Sequence, residues 1–152
     1  MHHNIKDLKP SANSRYKQGY IDPGSCKKLF PGLCHECIIT RSSWERKFIY
    51  WCESNPNVKR WGSECITIPY ILATDGSNHN YHPDFVVEMA NGETWVVEIK
   101  PQSQCKRPLK EDGWLWNAYT HNMSKWVAAK KFCEDRGLKF KIFTEQTIAQ
   151  LF

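Results

Sequence analysis

The sequence lacks the long apolar segments of membrane and secreted proteins. None of its apolar runs approaches the length needed to cross a bilayer, and residues 1–7 (MHHNIKD) contain no apolar stretch of the signal-peptide kind. Internal repeats and heptads are also missing, and the sequence makes no prediction of the oligomeric state. With 152 residues, 41% of them hydrophobic, the chain is long enough for one domain with its own core. These properties predict a protein that makes no membrane contact and stays in the cytoplasm of the cell that makes it.

The cysteines lack the pattern of a disulfide framework. There are seven, an odd number at irregular spacings, which predicts free thiols. Cys34 and Cys37 have the spacing of a zinc-knuckle pair, Cys26 is a third candidate ligand, and His35 or Cys52 could be the fourth. No second Cys-x-x-Cys or His pair completes the usual pattern. Two interpretations therefore stay open, a structural Zn²⁺ ion or unpaired thiols in a loop.

An acidic excess is missing too. The chain has 21 Lys and Arg against 16 Asp and Glu, a net charge of +5, which favours a polyanionic partner such as nucleic acid. The first part of the chain is polar and basic and shows no hydrophobic periodicity. We therefore expect an extended basic N-terminal arm with a Cys-rich loop at residues 1–37, followed by a folded domain at residues 38–152. The arm could lie on phosphates or be a solvated tail.

What the chain does contain is a pair of acidic positions on two neighbouring apolar segments. Asp84 begins one segment, and Glu98 and Lys100 end the next one, after a turn at Asn91-Gly92. Two converging carboxylates can bind a divalent metal ion, and a nearby lysine can orient or activate the attacking water. Residues two apart on a strand share a face, as the acid and the lysine of the second segment do. This arrangement resembles the PD-(D/E)xK site of metal-dependent nucleases, although strand-end charges without a function remain the alternative.

The proposed site depends on the register of this hairpin. A strict two-residue turn would pair Asp84 with Ile99, and the carboxylate would then point away from Glu98. A loop of odd length or a one-residue bulge would bring the two acids to the same face, and Gly92 could supply its left-handed residue. We therefore predict such a loop.

A helix is predicted from Ser42 to Asn55, because apolar residues recur every three to four positions and Pro56 ends the pattern. Ser42 and Glu45 match a capping box, in which the glutamate reaches back to the Ser42 backbone N–H. Glu45 could instead be a third acid that the helix presents to the metal site. The first turn of a helix allows either role.

The remaining elements follow from alternation, turn residues and helical spacing. We predict strands at about residues 65–72, 81–89, 94–100 and 139–143, a short helix at 114–119, and a longer helix at 122–136 that stops at Gly137. The order of helix, three strands, helix and strand predicts an α/β protein with a mixed central sheet flanked by helices. This is the αβββαβ core of the restriction-endonuclease-like fold.

Several blocks resemble the head-completion nucleases of large tailed bacteriophages, from about Arg15 to the C-terminus. These blocks are residues 39–48, 61–64, 68–70, 81–85, 97–101 and 125–129. A weaker resemblance extends to the endonuclease subunits of heteromeric cut-and-paste transposases, whereas residues 20–37 depart from the pattern. The resemblance implies that Glu45, Asp84, Glu98 and Lys100 are catalytic. Glu64 also belongs to a shared block, without an assigned role.

The expected function is a metal-dependent DNA endonuclease that processes the packaged genome end before the tail is joined. Asp84, Glu98, Glu45 and the Ile99 carbonyl would bind Mg²⁺, with Mn²⁺ able to substitute, and Lys100 would position the attacking water. Candidate contacts to the DNA backbone are Arg41, Arg46, Lys47, Lys106, Arg107, Lys125 and Lys130.

The expected partners are double-stranded DNA and portal or head-completion proteins, in the cytoplasm of a host bacterium or in the virion. Two alternatives stay open. One is a DNA-binding head–tail connector that cleaves nothing, and the other is a junction- or flap-specific nuclease unrelated to virions.

Overall fold

The computed structural model describes residues 19–31 and 38–151. Within these ranges the chain forms eight strands and three helices. The strands are β1 (Gly19–Ile21), β2 (Ile38–Thr40), β3 (Val58–Ser63), β4 (Ile68–Ile71), β5 (Asn78–Tyr81), β6 (Phe85–Met89), β7 (Thr94–Ile99) and β8 (Lys139–Phe143), and the helices are α1 (Ser43–Ser54), α2 (Gly113–Arg136) and α3 (Glu145–Ala149). None of the described helices has the length and apolar character required to span a membrane.

A mixed four-stranded sheet with the order β3-β6-β7-β8 lies between α1 and α2. The first three strands are antiparallel, and β8 lies parallel to β7 after the crossover through α2. Phe48 of α1 packs with Phe85 and Val97 in one apolar layer. Trp126 of α2 packs with partly buried Phe140 in the other. The predicted αβββαβ architecture is therefore confirmed, with α1, β3, β6, β7, α2 and β8 as its elements.

The hairpin of β6 and β7 has the predicted odd loop. Phe85 pairs with Val97, and the N–H of Met89 donates to the carbonyl of Glu93 at 2.8 Å, which leaves three residues, 90–92, in the turn. Gly92 closes the turn with a φ of 92°, a conformation that costs a glycine little and other residues much more. The register condition for the proposed site is thus met.

The predicted helix after Ser42 is also confirmed, but its capping differs from the prediction. The Ser42 hydroxyl accepts a hydrogen bond from the N–H of Glu45 at 3.3 Å, as an N-cap should. The Glu45 carboxylate does not complete a capping box, because it accepts the N–H of Arg41 at 2.6 Å instead. Glu45 thus bonds to the backbone just outside the helix.

The first strand of the central sheet was assigned wrongly. The predicted strand at 65–72 forms β4, which pairs with β5 in a separate two-stranded sheet against α2. The true first strand is β3, which lies at the sheet edge and contains a register shift between Val58 and Arg60. This irregularity breaks the alternation that a sequence pattern needs. The strand predicted at 81–89 is divided, because Pro83 separates β5 from β6 and lacks the N–H that a ladder requires.

The two helices predicted at 114–119 and 122–136 are one continuous helix, α2. It ends as predicted at Gly137, which caps it with a φ of 69°. Trp114 and Leu115 in its first turn are exposed, so the N-terminal part of α2 lacks the apolar face that identifies a helix in a sequence.

The described part of the predicted arm lies against the folded domain. The Lys28 ammonium donates to the carbonyls of Cys52 at 3.2 Å and Asn55 at 2.6 Å, and Ile21 and Leu29 pack against the core. The boundary at residue 37 stays a prediction. Cys26 is a free thiol, whereas Cys34, His35 and Cys37 lie outside the described residues, so the zinc hypothesis stays untested.

Candidate active site

Asp84 and Glu98 lie opposite each other at the open end of the β6–β7 hairpin. Phe85 pairs with Val97, so the next positions outward are these two acids. Asp84 Oδ2 accepts the N–H of Ile99 at 2.8 Å. Burial of the Asp84 carboxyl and the charges of Glu98 and Glu45 raise its pKa well above the usual value, although the Ile99 N–H and Lys100 act in the opposite direction. The hairpin therefore holds crowded carboxylates where a cation would be favourable.

Glu45 joins this pair from the first turn of α1. Its side chain is buried, and one carboxylate oxygen accepts the N–H of Arg41. Burial raises the pKa of Glu45, and the charges of Glu64 and Glu98 raise it further. Because the pKa values of Glu45 and Asp84 both respond to the charge of Glu98, the three acids form one electrostatic cluster.

Two lysines reach the cluster from different elements. Lys100 Nζ lies 3.6 Å from Glu98 Oε1. Lys125 extends from α2, and its ammonium lies 5.7 Å from the ring centroid of Tyr81. Burial lowers the pKa of Lys125, and so does the charge of Lys100, whereas Glu98 and Asp84 raise it. The two ammonium groups thus share one negatively charged region.

Tyr81 is a site residue to which the sequence analysis assigned no role. It is the last residue of β5, it is 3% exposed, and its hydroxyl donates a hydrogen bond to Glu98 Oε2. Burial raises the pKa of Glu98, while the Tyr81 hydroxyl and Lys100 lower it. The pKa of Tyr81 is itself raised strongly by burial and by the Glu98 charge. Tyr81 thus fixes the orientation of one carboxylate of the cluster.

Glu64 connects two of the acid-bearing elements. Its backbone N–H donates to the carbonyl of Asp84 at 3.0 Å, and its carboxylate forms an ion pair with the Arg41 guanidinium. Arg41 in turn donates its backbone N–H to Glu45. Glu64 has a φ of 47°, a left-handed conformation that is uncommon for residues other than glycine. This strained residue therefore links the start of β6 to the start of α1.

The acids fit a divalent cation by their chemistry. Carboxylate oxygens are the ligands that Mg²⁺ prefers. Among contacts with described residues, Asp84 Oδ1 and Glu45 Oε1 have no hydrogen-bond donor, and Glu98 Oε1 faces only Lys100. Within the described ranges, however, no group of three or more acidic, His or Cys side chains has the spacing that would hold a metal ion. Ile99 takes part through its N–H, and the role of its carbonyl stays a prediction.

The other predicted DNA-contacting cations are spread over the surface. Lys47 lies over the Trp44 ring at 4.5 Å, and Arg107 lies over Trp116 at 5.3 Å. The guanidinium of Arg46 lies close to Gly19, whereas Lys106 and Lys130 are exposed. Of the seven predicted cations, Lys125 and Arg41 have charges that influence the acid cluster.

Comparison with known proteins defines the class to which this fold and site belong. Residues 55–145 match the family model described as "TnsA-like endonuclease N terminal", and the chain belongs to this family of endonucleases. It is also similar to the head completion nuclease of Enterobacteria phage T4, with 34% identity over 124 residues, which cover 75% of this chain and 83% of that protein. The resemblances inferred from the sequence blocks are thereby confirmed. The match to the family model includes Asp84, Glu98 and Lys100 and begins after Glu45.

Proposed function

We propose that the chain is a metal-dependent DNA endonuclease with Glu45, Asp84, Glu98 and Lys100 in its active site. The observation that carries the proposal is the hairpin register, which sets Asp84 opposite Glu98. Membership of an endonuclease family supports the same reading. An accidental pair of surface acids would be solvated and keep ordinary pKa values, whereas these acids are buried and have raised pKa values even though Lys100 lies beside Glu98.

The metal ion that would suit the chemistry of these acids is Mg²⁺; Asp84, Glu98 and Glu45 would hold it, and Mn²⁺ is expected to substitute. When bound, such an ion supplies Lewis acidity toward the phosphate and lowers the pKa of water. The acids must be deprotonated to bind it, so their raised pKa values make metal binding dependent on pH.

The lysines act on the phosphate and the attacking water. Lys100 directly follows β7, and its ammonium lies 3.6 Å from Glu98 Oε1, where it can orient the water and stabilise negative charge that develops on the phosphate oxygens. Lys125 adds a second positive charge at the same place and can attract the DNA backbone. Tyr81 holds Glu98 in one orientation throughout.

The biological role that we propose is processing of the packaged phage genome end during head completion, before the tail is joined. The name of the phage T4 relative, head completion nuclease, supports this role. Double-stranded DNA is the expected substrate. Portal or other head-completion proteins are the expected partners, in the host cytoplasm or in the virion.

A cleavage assay tests the proposal. Linear, flapped and four-way DNAs are incubated with the wild type, with Asp84→Ala and with Lys100→Ala, each in Mg²⁺ or in EDTA. We expect cleavage by the wild type in Mg²⁺ alone, and almost none by either variant. Glu93→Ala, an acid at the turn end of the same hairpin, is the matched control and should cut normally.

Binding of DNA without cleavage in any divalent metal would contradict the proposal and would favour a head–tail connector. A strong preference for four-way or flapped DNA over linear ends would support the nuclease activity but contradict the proposal that genome ends are the substrate.

A further inference from the structure

A groove lies directly beyond the proposed active site. After Lys100 the chain turns through a short 3-10 helix, Gln102–Cys105, and the groove lies between this segment and the first turns of α2. Its volume is about 330 Å³, within the range of about 300–1,000 Å³ that is typical of small-molecule sites. Its lining includes Pro101, Lys106, Trp114, Tyr119 and Asn122.

Asn122 supplies an amide to the wall of the groove. The residue lines the groove and is 5% exposed, and its amide forms no hydrogen bond with any residue of the described ranges. Its amide atoms are not among the fully buried side-chain atoms in this part of the chain that lack a partner, so they can meet solvent or a ligand. An amide offers both donors and an acceptor, the combination that the edge of a nucleobase can satisfy.

The outer end of the groove is aromatic and basic. Trp114 is 68% exposed, which leaves much of its indole surface to solvent, and exposed Lys106 belongs to the same lining. Exposed aromatic rings next to cations are the combination with which proteins hold single-stranded nucleic acid, because every base has a face that can stack.

The groove leads toward the acid cluster. Asn122 and Lys125 are three residues apart on α2, so they share a face and are separated by about 4.5 Å along the helix axis. Trp114 and Lys125 are about 16 Å apart along the axis, whereas a stacked strand rises about 3.4 Å per nucleotide. A strand with its phosphate at Lys125 would therefore pass Asn122 first and Trp114 a few nucleotides later.

We propose that this groove binds an unstacked nucleobase of the DNA strand that is cut, a few nucleotides from the scissile phosphate. The base face lies on Trp114 or Tyr119, its edge meets the Asn122 amide, and Lys106 meets an adjoining phosphate. A base paired within a duplex cannot enter, so the groove selects DNA with an unpaired segment, such as an overhang or a frayed end. The inference rests on the proposed nuclease function and adds a substrate class to it.

A binding experiment without cleavage tests the groove separately from the chemistry. The full chain in EDTA is titrated into a duplex with a short overhang that carries 2-aminopurine, and into a blunt duplex with the same label base-paired. We expect the wild type to bind the overhang more tightly and to change its fluorescence by stacking. Trp114→Ala should weaken overhang binding about 5- to 150-fold, the range measured when a stacking aromatic is removed, and should leave blunt-duplex binding almost unchanged.

Two further variants complete the test. Asn122→Leu removes the amide at similar size and should weaken overhang binding, with a melting temperature measured to verify folding. Val127→Ala changes another exposed apolar residue of α2 that is absent from the groove lining, and it should bind both DNAs as the wild type does.

The inference is wrong if the wild type binds both DNAs equally, or if Trp114→Ala binds the overhang normally. It is also wrong if Trp114→Ala changes only the oligomeric state, since the exposed indole would then belong to a protein interface. Normal overhang binding together with no cleavage in Mg²⁺ would instead contradict the proposed nuclease function and leave the groove assignment in place.

Discussion

The acids at the two ends of the β6–β7 hairpin have pKa values that are shifted in opposite directions. At the turn end, hydrogen bonds from Arg60 and from Lys139 lower the pKa values of Glu88 and Glu93, respectively. Lys139 Nζ lies 2.7 Å from Glu93 Oε1. At the open end, burial raises the pKa values of Asp84 and Glu98, and for Asp84 the neighbouring acids add to the shift.

If the proposed function is right, the difference separates acids that accompany the fold from acids that take part in the reaction. The acids of the turn end are paired with cations and lie near solvent, where an ion pair contributes little to stability. The acids of the open end are buried and crowded, so their charged forms remain unfavourable although Lys100 lies 3.6 Å from Glu98. Carboxylates kept in such an arrangement reduce stability, and strongly shifted pKa values of this kind cluster at functional sites.

The largest expected effect is on cleavage. Glu98→Ala should lower the rate of DNA cleavage in Mg²⁺ by about a hundred- to a thousand-fold or more, the scale found when one preorganised group is removed from an active site. Glu88→Ala, which removes an acid ten residues earlier on the partner strand, should leave the rate unchanged. Single-turnover kinetics measure the cleavage rates of both variants. Equal losses of rate would show that the acids at the two ends of the hairpin do not differ in function.

Tyr81→Phe should have the next largest effect. It removes the hydroxyl that orients Glu98, and loss of a group that orients a metal ligand costs about 10- to 100-fold in metal affinity or activity. Tyr70→Phe, a change of another buried tyrosine of the same apolar cluster, is the control. The Mg²⁺ concentration that gives half-maximal cleavage should rise for the first variant only.

Glu64→Gln should reduce activity less. The neutral amide weakens the ion pair with Arg41 and thus the connection to Glu45, whereas the Glu64 N–H to Asp84 remains. We expect about a ten-fold loss of cleavage, the lower end of the range for such supporting groups. Glu111→Gln, which weakens the exposed ion pair with Arg107, should behave as the wild type. A normal rate for Glu64→Gln would show that the ion pair does not support the site.

The smallest expected effect is on stability. Its direction should differ between an acid of the open end of the hairpin and an acid of the turn end. Asp84→Asn removes an unfavourable buried charge and should raise the stability of the metal-free protein at neutral pH by on the order of 1 kcal/mol. That corresponds to a rise of about 2–4 °C in melting temperature for a protein of this size. Glu93→Gln removes a paired charge, and its melting temperature should stay the same or fall slightly. A lower melting temperature for Asp84→Asn would contradict the raised pKa of Asp84.

The stabilisation by Asp84→Asn should depend on pH. The folded protein keeps a proton on Asp84 at pH values where the unfolded chain, with a pKa near 3.8, has lost it. The free energy of unfolding therefore falls as pH rises from about this value through the raised folded pKa. The Asp84→Asn variant does not lose this stability as pH rises. Its melting temperature should therefore equal that of the wild type at acidic pH and exceed it increasingly toward neutral pH. An advantage that is constant with pH would exclude this cause.

The sequence predicted the β6–β7 hairpin more accurately than the strands that precede it. The odd loop was predicted because the proposed site requires Asp84 and Glu98 on one face, and Gly92 is a residue that can close such a loop. β3 was not predicted, because its bulge breaks the alternation of apolar and polar residues. β4 was assigned to the central sheet because a sequence pattern does not specify the strand with which another strand pairs. A local pattern also cannot predict contacts between distant segments.

The parts of the site that were missed all depend on such distant contacts. Pro83 interrupts the chain between Tyr81 and Asp84, so alternation could not predict that Tyr81 points to Glu98. The link from Glu64 to Arg41 joins residues 23 positions apart in the sequence, and no periodicity connects them. Asn122 resembles a helix-surface residue in the sequence, and only the packing of α2 against the segment after β7 buries it.

Calorimetric titration of the metal-free protein with Mg²⁺ tests the central claim most directly, namely that the open end of the hairpin is a cation site. The wild type should show saturable binding with release of protons that increases as pH is lowered toward the raised pKa values of the acids. Asp84→Asn should lose this binding, and Glu93→Gln should retain it. An absence of saturable binding to the wild type, or equal binding to all three proteins, would contradict the account.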